Sequence, residues 1–321
     1  MNSHKNPLYF SFTTSRKNLI MRYFILVFTF VSFAANAQSW KEKYQSAINN
    51  RQDSLATSIL MDWIKIEPEN PDMTVAAFNH YLFTGVRDIM VMTDNPEELV
   101  ESEGYLEILD AQGLPFSYIG SSTYYEPEYF NRAMELIDNG IKFNPNRLDL
   151  RFGQAYVLGE TQNYELQIQA IRDVLAQNKI NNGQWFWMEN SPVDDIQYFL
   201  PESIQDYLGG LFYSGVSYSN EIIELSNLML EQYPDNVMYI SNIGAAYYNA
   251  GDLQKAYETF SRAFDIDYND SVVILNLGQI CTELGKYHEA IYFYEKIVQT
   301  GDEYDKEFAQ ERINELKEAT K

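Results

Sequence analysis

The chain has 321 residues and carries 46 acidic against 23 basic residues, a formal charge of −23. Such an acidic balance argues against DNA, RNA and anionic membrane surfaces as partners, because all of them attract basic patches. The single cysteine, Cys281, excludes an intrachain disulfide, and we expect it to be a buried core thiol.

The N-terminal segment has the pattern of a secretory signal peptide. Basic residues up to Arg22 precede an apolar run at 23–34, and Ala35-Asn36-Ala37 then supplies the small residues of a cleavage site. A membrane anchor is the competing interpretation, but the apolar run at 23–34 is too short to span a bilayer.

We therefore predict a signal peptide at 1–37, with an upstream extension at 1–20 if Met21 is the true start. The mature chain is expected to be exported, in the periplasm or associated with the cell envelope, without stable membrane insertion. Its 19 basic residues stand against 46 acidic residues, a formal charge of −27, which we interpret as a solvated surface.

Helical patterns in two-helix units follow from residue 38 onward. A first unit contains Trp40 and Trp63, and a third begins near Asn146. The second unit is split, with predicted helices at about 72–83 and 127–143. Something other than helix must therefore lie between these two segments.

The insertion at about 85–126 is predicted to contain a β-hairpin. Gly104–Asp110 and Leu114–Gly120 alternate apolar with polar residues on either side of Ala111-Gln112-Gly113. An isolated hairpin is marginal in water, so it must pack on the helices or on a partner. Structural packing and a binding arm both remain open.

A second irregular segment, at about 181–200, contains the aromatic run Trp185, Phe186 and Trp187. These side chains could bind a small ligand such as a glycan or a peptide, because aromatic rings are frequent binding anchors. Alternatively, they fill the junction between two helical units that are out of phase.

The C-terminal third repeats at a constant interval. Gly210, Gly244 and Gly278 are evenly spaced and mark this interval, and bulky residues such as Phe260 and Tyr294 repeat with them. We expect the three glycines to lie in equivalent surroundings. The best-defined units are 203–236, 237–270 and 271–304, and a charged capping helix is predicted at 305–321.

These spacings resemble the tetratricopeptide repeat family, whose units are about 34 residues long, and more generally exported bacterial proteins of that family. The resemblance implies an all-α fold, a right-handed α-α superhelix of about six helix pairs. It covers 38–321, with the capping helix at the end and the hairpin as a small β insertion.

The resemblance also implies a binding surface on the concave face, which the first helix of each unit lines. A protein or peptide segment is the expected partner, and some of the lining residues are expected to pack only against neighbouring units. Carried onto this chain, the family positions name Tyr207, Leu211, Ser241, Tyr248, Asn249, Gln279 and Glu283.

Catalytic, cofactor and metal motifs are not found in the sequence. The stretch Asp265–Asp270 starts like a calcium loop but has Asp270 where that loop requires glycine. His80 and His288 are not part of a zinc-binding pattern. We therefore predict a non-enzymatic interaction scaffold with no catalytic residues, no metal and no cofactor.

Overall fold

The computed structural model describes residues 38–96, 99, 104–214 and 217–319. The predicted signal peptide at 1–37 lies outside the described residues. The chain divides into two compact units, and their described parts are named here for their place in the sequence. The N-terminal unit holds 38–163 and 176–194, and the C-terminal unit holds 164–175 and 195–319.

The N-terminal unit contains five helices, the end of a sixth, and two small antiparallel sheets. The helices are α1 (Trp40–Asn49), α2 (Asp53–Ile66), α3 (Pro71–Gly85), α4 (Pro127–Phe143), α5 (Leu148–Glu160) and residues 176–181 of α6 (Tyr164–Asn181). The strands are β1 (Val86–Thr93), β2 (Tyr105–Leu109), β3 (Pro115–Tyr125), β4 (Phe186–Trp187) and β5 (Ser191–Pro192), with a 3-10 turn at Met188–Asn190.

The C-terminal unit begins with residues 164–175 of α6, and its described residues form helices joined by turns, without a strand. Its further helices are α7 (Ile196–Phe212), α8 (Ser219–Leu230), α9 (Val237–Asn249), α10 (Leu253–Ile266), α11 (Ser271–Glu283), α12 (Tyr287–Thr300) and α13 (Glu303–Ala319). In the described part of the chain, six successive helix pairs are thus followed by one terminal helix. The predicted fold class, helix pairs with a small β insertion, is confirmed.

Polar residues set where several helices begin. Ser39 and Glu42 form a capping box on α1, each side chain bonding the backbone N–H of the other residue. Asn236 accepts the N–H of Met238 at the start of α9, and Asp270 accepts the N–H of Val273 at the start of α11. These two caps are separated by one repeat interval and therefore start two first helices at equivalent positions.

The β insertion is a three-stranded sheet in the order β1-β3-β2, not a hairpin alone. The predicted hairpin is present, since β2 pairs with β3 from Tyr105↔Gly120 to Leu109↔Pro115. Strand β1 was not predicted. It follows α3 directly at Gly85, where a β-carbon would stand 2.4 Å from Cβ of Tyr129. Glycine therefore lets the chain leave the helix while staying close to α4.

The predicted equivalence of the three glycines holds for two of them. A β-carbon on Gly244 would meet the Phe260 ring at 2.7 Å, and one on Gly278 would meet the Tyr294 ring at 2.8 Å. Gly210 is exposed, and a β-carbon there would meet nothing within 4 Å. The expectation is wrong at Gly210 because Ser226, which takes the position of Phe260 in the preceding repeat, has no ring to fill that space.

Candidate functional site

The first helices of the two regular repeats, α9 and α11, are joined at their C-terminal ends by three predicted site residues. The Tyr248 hydroxyl on α9 donates to Oε1 of Glu283 on α11, and Nε2 of Gln279 donates to the same oxygen at 2.8 Å. Burial raises the pKa of the Tyr248 phenol well above its ordinary value, and the bond to Glu283 acts in the same direction. The phenol is therefore a hydrogen-bond donor at neutral pH.

The seven residues predicted to line the binding surface differ in solvent accessibility. Asn249 and Glu283 are exposed and Ser241 is half-buried, so these three side chains are within reach of a partner. Tyr207 and Leu211 on α7 are buried, as are Tyr248 and Gln279. Buried members of this set pack the unit together, and the accessible members form what we call the α9/α11 surface: Ser241, Asn249 and Glu283.

The aromatic segment places its three rings in different environments. Trp185 is 2% exposed, and its indole N–H donates to Oδ1 of Asn178 at 2.6 Å. The backbone N–H of Phe186 donates to the carbonyl of Asn146 at 2.9 Å. Phe186 is exposed and Trp187 is half-buried. Trp185 thus has its one polar group satisfied inside the N-terminal unit, and only the two later rings are accessible.

A charged network in the N-terminal unit was not predicted. Arg147 is buried and donates to both carboxylate oxygens of Asp149, at 2.9 and 2.7 Å, and to Oδ1 of Asp72 at 3.0 Å. Lys41 bonds Oδ2 of Asp72 at 3.3 Å and Glu189 at 2.7 Å. The network ties the start of α5 to α1, α3 and the 3-10 turn. The pair Arg147-x-Asp149 at the start of α5 was its sequence signal.

Opposing effects act on the carboxyl group of Asp72. Burial alone would raise its pKa, but the charges and hydrogen bonds of Lys41 and Arg147 hold the pKa below its ordinary value. Asp72 is therefore ionised in the folded protein at neutral pH.

A cavity of about 690 Å³ opens between α2, α3 and α4 in the N-terminal unit. Its lining includes His80, Thr57 and Arg132. The Thr57 hydroxyl donates to the carbonyl of Asp53, and the same oxygen lies within hydrogen-bond distance, 3.2 Å, of Nε2 of His80. Burial lowers the pKa of His80, although the charge of Asp53 opposes this. The lowered pKa favours the neutral imidazole at pH 7.

The positions considered for metal or thiol chemistry have structural roles. Asp270 caps α11, and Asp267 accepts the backbone N–H of Asn269 within the turn before it. Burial raises the pKa of the Cys281 thiol to about 12, so it is protonated at neutral pH. Within the described ranges, no three His, Cys, Asp or Glu side chains converge to hold a metal ion.

None of the helices in the described part of the chain combines the length and apolar character that crossing a bilayer requires.

Comparison with known proteins finds a family match in the C-terminal repeats. The family profile described as Tetratricopeptide repeat matches residues 235–300, which contain both regular glycine–ring pairs. No curated protein sequence matches the chain significantly.

Three solved structures illustrate the structural likenesses. MamA from Desulfovibrio magneticus RS-1 has a TM-score of 0.37 at 13% identity, over 53% of this chain and 84% of that chain. Pseudomonas aeruginosa PilF has a TM-score of 0.38 at 16% identity, over 58% and 80%. PilW, a type IV pilus biogenesis factor, has a TM-score of 0.39 at 11% identity, over 86% and 100%. At these values, the likenesses carry no argument about partner or location.

Successive helix pairs at a constant sequence interval, with a first-helix glycine packed on a second-helix ring, define a helical repeat protein. The family match assigns residues 235–300 of this chain to the tetratricopeptide repeats.

Proposed function

We propose that this chain is a non-enzymatic interaction scaffold that binds a protein or peptide segment on the α9/α11 surface. The observation that carries the proposal is the pairing of Gly244 with Phe260 and of Gly278 with Tyr294. These contacts fix α9 and α11 as successive first helices, and stacked repeats of this kind use that side as an extended binding surface. Ser241, Asn249 and Glu283 are accessible side chains at the family's binding positions there.

Export to the periplasm or cell envelope is part of the same proposal. It is supported by the basic, apolar and small-residue order at 16–37 and by the acidic composition of the mature chain. That composition also favours a protein partner over nucleic acid.

A bulky substitution at the exposed end of α9 tests whether the α9/α11 surface binds a partner. The tagged wild-type chain and an Asn249→Trp variant would each be used to capture partners from a cell-envelope extract. Gln254→Trp is the matched control, because Gln254 is also exposed but lies on the second helix α10. Loss of the captured protein with Asn249→Trp, and retention with Gln254→Trp, would support the proposal. Equal capture by all three chains would reject the α9/α11 surface.

A second candidate function is binding of a glycan or peptide by the aromatic segment. Phe186 is exposed and Trp187 is half-buried, so these two rings are accessible to a ligand. Trp185 is buried and is not available for binding. Titration of tryptophan fluorescence against a glycan panel tests it, with Phe186→Ala as the variant. A response that Phe186→Ala abolishes supports this function, and an unchanged spectrum across the panel rejects it.

A further inference from the structure

The three-stranded sheet leaves β1 as an edge strand. The order β1-β3-β2 gives β1 a neighbour on one side only. At its base, Nη1 of Arg87 donates to the carbonyl oxygens of Thr84 and Val86 at 2.8 and 2.7 Å. Within the described chain, residues 88–92 form no backbone hydrogen bond beyond their ladder with β3. Alternate residues of an edge strand direct an N–H and a C=O away from the sheet, so this stretch offers donors and acceptors to another strand.

The edge lacks the features that usually protect an exposed strand. Lysine, proline and β-bulges are common on natural edges, because they discourage pairing with another chain. Strand β1 contains no lysine or proline, and its pairing with β3 has no register shift. Its cation, Arg87, is paired with Glu126 at 2.7 Å. Residues 89–92 read Ile-Met-Val-Met, so the open part of the edge is apolar on both faces.

One face of the sheet next to this edge is apolar and exposed. Met92 lies opposite Ile119 on β3, and Ile119 lies opposite Leu106 on β2. Met90 lies two residues before Met92, so all four side chains share one face. Met90 and Leu106 are each 71% exposed, and Met92 is 65% exposed. The open edge at 88–92 and these three exposed side chains are called here the β1 platform.

The helical core accounts for the base of the sheet but not for the platform. Tyr125, opposite Val86 at the base, packs against the core that contains Phe78 and Leu82. Met90 lies four residues further along β1, about 14 Å from Val86. Structural packing of the insertion therefore explains its base, while the platform remains open to a partner.

The size of the platform indicates its occupant. Its three exposed side chains present on the order of a few hundred Å² of apolar surface. A stable dimer buries about 800 Å² on each partner, so the platform is too small to hold a second copy by itself. A single extended segment of about five residues matches it, because its backbone bonds 88–92 and its alternate side chains cover Met90 and Met92.

We propose that β1 takes up an extended apolar segment of another protein as a fourth strand of this sheet. Backbone hydrogen bonds supply the affinity, and apolar side chains at alternate positions select the segment. The platform belongs to the N-terminal unit, whereas the α9/α11 surface belongs to the C-terminal unit. The inference therefore goes beyond the proposed function and stands or falls separately from it.

Differential selection from a random twelve-residue peptide library on phage tests the inference, with the full-length mature chain as bait. The double variant Met90→Lys, Met92→Lys places charges on the platform at exposed positions. Phe83→Lys, Leu114→Lys is the matched control, because both residues are apolar, exposed and outside the platform. Peptides with apolar residues at alternate positions should bind the wild type and the control equally. They should bind the platform variant roughly tenfold more weakly, because its charges would be buried under the peptide.

Backbone methylation of a selected peptide, tested on the wild-type chain, separates strand addition from contact through side chains alone. Each N-methyl group removes one backbone donor and leaves the side chains unchanged. Methylation at every second residue should weaken binding by about two- to tenfold per group, because one hydrogen bond is lost each time. Methylation at the intervening residues should have little effect, since their N–H groups point away from β1. Amide hydrogen exchange at 88–92 should slow in the complex.

Two results of these experiments would overturn the inference. One is the absence of any peptide that prefers the wild type to the platform variant, and the other is equal weakening by both sets of methyl groups. A dimer, or binding to phosphatidylcholine vesicles, that Met90→Lys, Met92→Lys abolishes would also overturn it, because the occupant would then be a second copy or a lipid surface.

Asn249→Trp distinguishes the platform from the α9/α11 surface. This variant should bind the selected peptides as tightly as the wild type. Loss of their binding with Asn249→Trp would place them on the α9/α11 surface, which would overturn the present inference and leave the proposed function standing.

Discussion

Two ring carbons of Phe260 lie 2.7 Å from the point where a β-carbon on Gly244 would stand. The two helices of this repeat can therefore approach closely only while residue 244 has no side chain. Tyr294 stands in the same relation to Gly278, and Gly210 has no such neighbour.

This difference among the glycines predicts opposite effects of one substitution. Gly244→Ala and Gly278→Ala should each lower the free energy of unfolding by about 1–3 kcal/mol, because the added methyl group overpacks the helix pair. Gly210→Ala should leave it unchanged or raise it by about 0.5–1 kcal/mol, because alanine favours the helix and the space is open. Urea denaturation of the three variants measures this. Destabilisation by Gly210→Ala equal to that of Gly244→Ala would contradict the packing described here.

The contact between Trp185 and Asn178 predicts a stability role for the aromatic segment. Asn178→Leu leaves the buried indole N–H without its acceptor, which should cost about 1–3 kcal/mol. Gln169→Leu is the control, because Gln169 is exposed on the same helix α6. Urea denaturation followed by tryptophan fluorescence measures both variants. An Asn178→Leu protein as stable as the control would argue against the buried position of Trp185.

The buried pair of Arg147 and Asp149 predicts a larger effect. Asp149→Leu removes the carboxylate that holds the guanidinium by two hydrogen bonds, so the unfolding free energy should fall by about 3–5 kcal/mol. The double variant Arg147→Met, Asp149→Leu should recover part of this loss, because no buried charge is then left unpaired. The urea midpoints of the single and the double variant are compared. A double variant less stable than Asp149→Leu would refute the cost assigned to the unpaired guanidinium.

The depressed pKa of Asp72 predicts a dependence of stability on pH. A carboxyl group whose pKa is lower in the folded than in the unfolded state stabilises the fold above its unfolded pKa of about 4. This contribution is lost as the pH falls through the folded pKa. The stability difference between wild type and Asp72→Asn should therefore be full at pH 6 and shrink below about pH 4.

Unfolding in urea at a series of pH values measures that difference. Asp62→Asn serves as the control, because Asp62 is exposed and its contact with Lys65 spans 3.8 Å. A difference for Asp72→Asn that stays constant down to pH 3 would contradict the role given to Lys41 and Arg147.

Local patterns made much of the fold predictable. The alternation around Ala111-Gln112-Gly113 identified β2 and β3, whereas β1 begins directly after α3 without a separating turn. The repeated glycines located the helix pairs, but the expected equivalence fails at Gly210, because Ser226 at the position of Phe260 has no ring to pack against it. The successful predictions therefore rested on patterns of neighbouring residues: the alternation in the hairpin and the residues that repeat with the glycines.

The site was less predictable because its decisive contacts join distant parts of the chain. The bond from Tyr248 to Glu283 spans 35 residues, and the contact from Arg147 to Asp72 spans 75. Family positions named Tyr248 and Glu283 without indicating that one is buried and the other exposed. Burial depends on packing between repeats, which a single sequence does not specify.

Site-specific photo-crosslinking in intact cells tests the partner surface most directly. Benzoylphenylalanine would replace Asn249 on α9 in one protein and Gln254 on α10 in another. We predict a crosslinked partner band from position 249 and none from position 254. A band from position 254 alone would contradict binding on the α9/α11 surface.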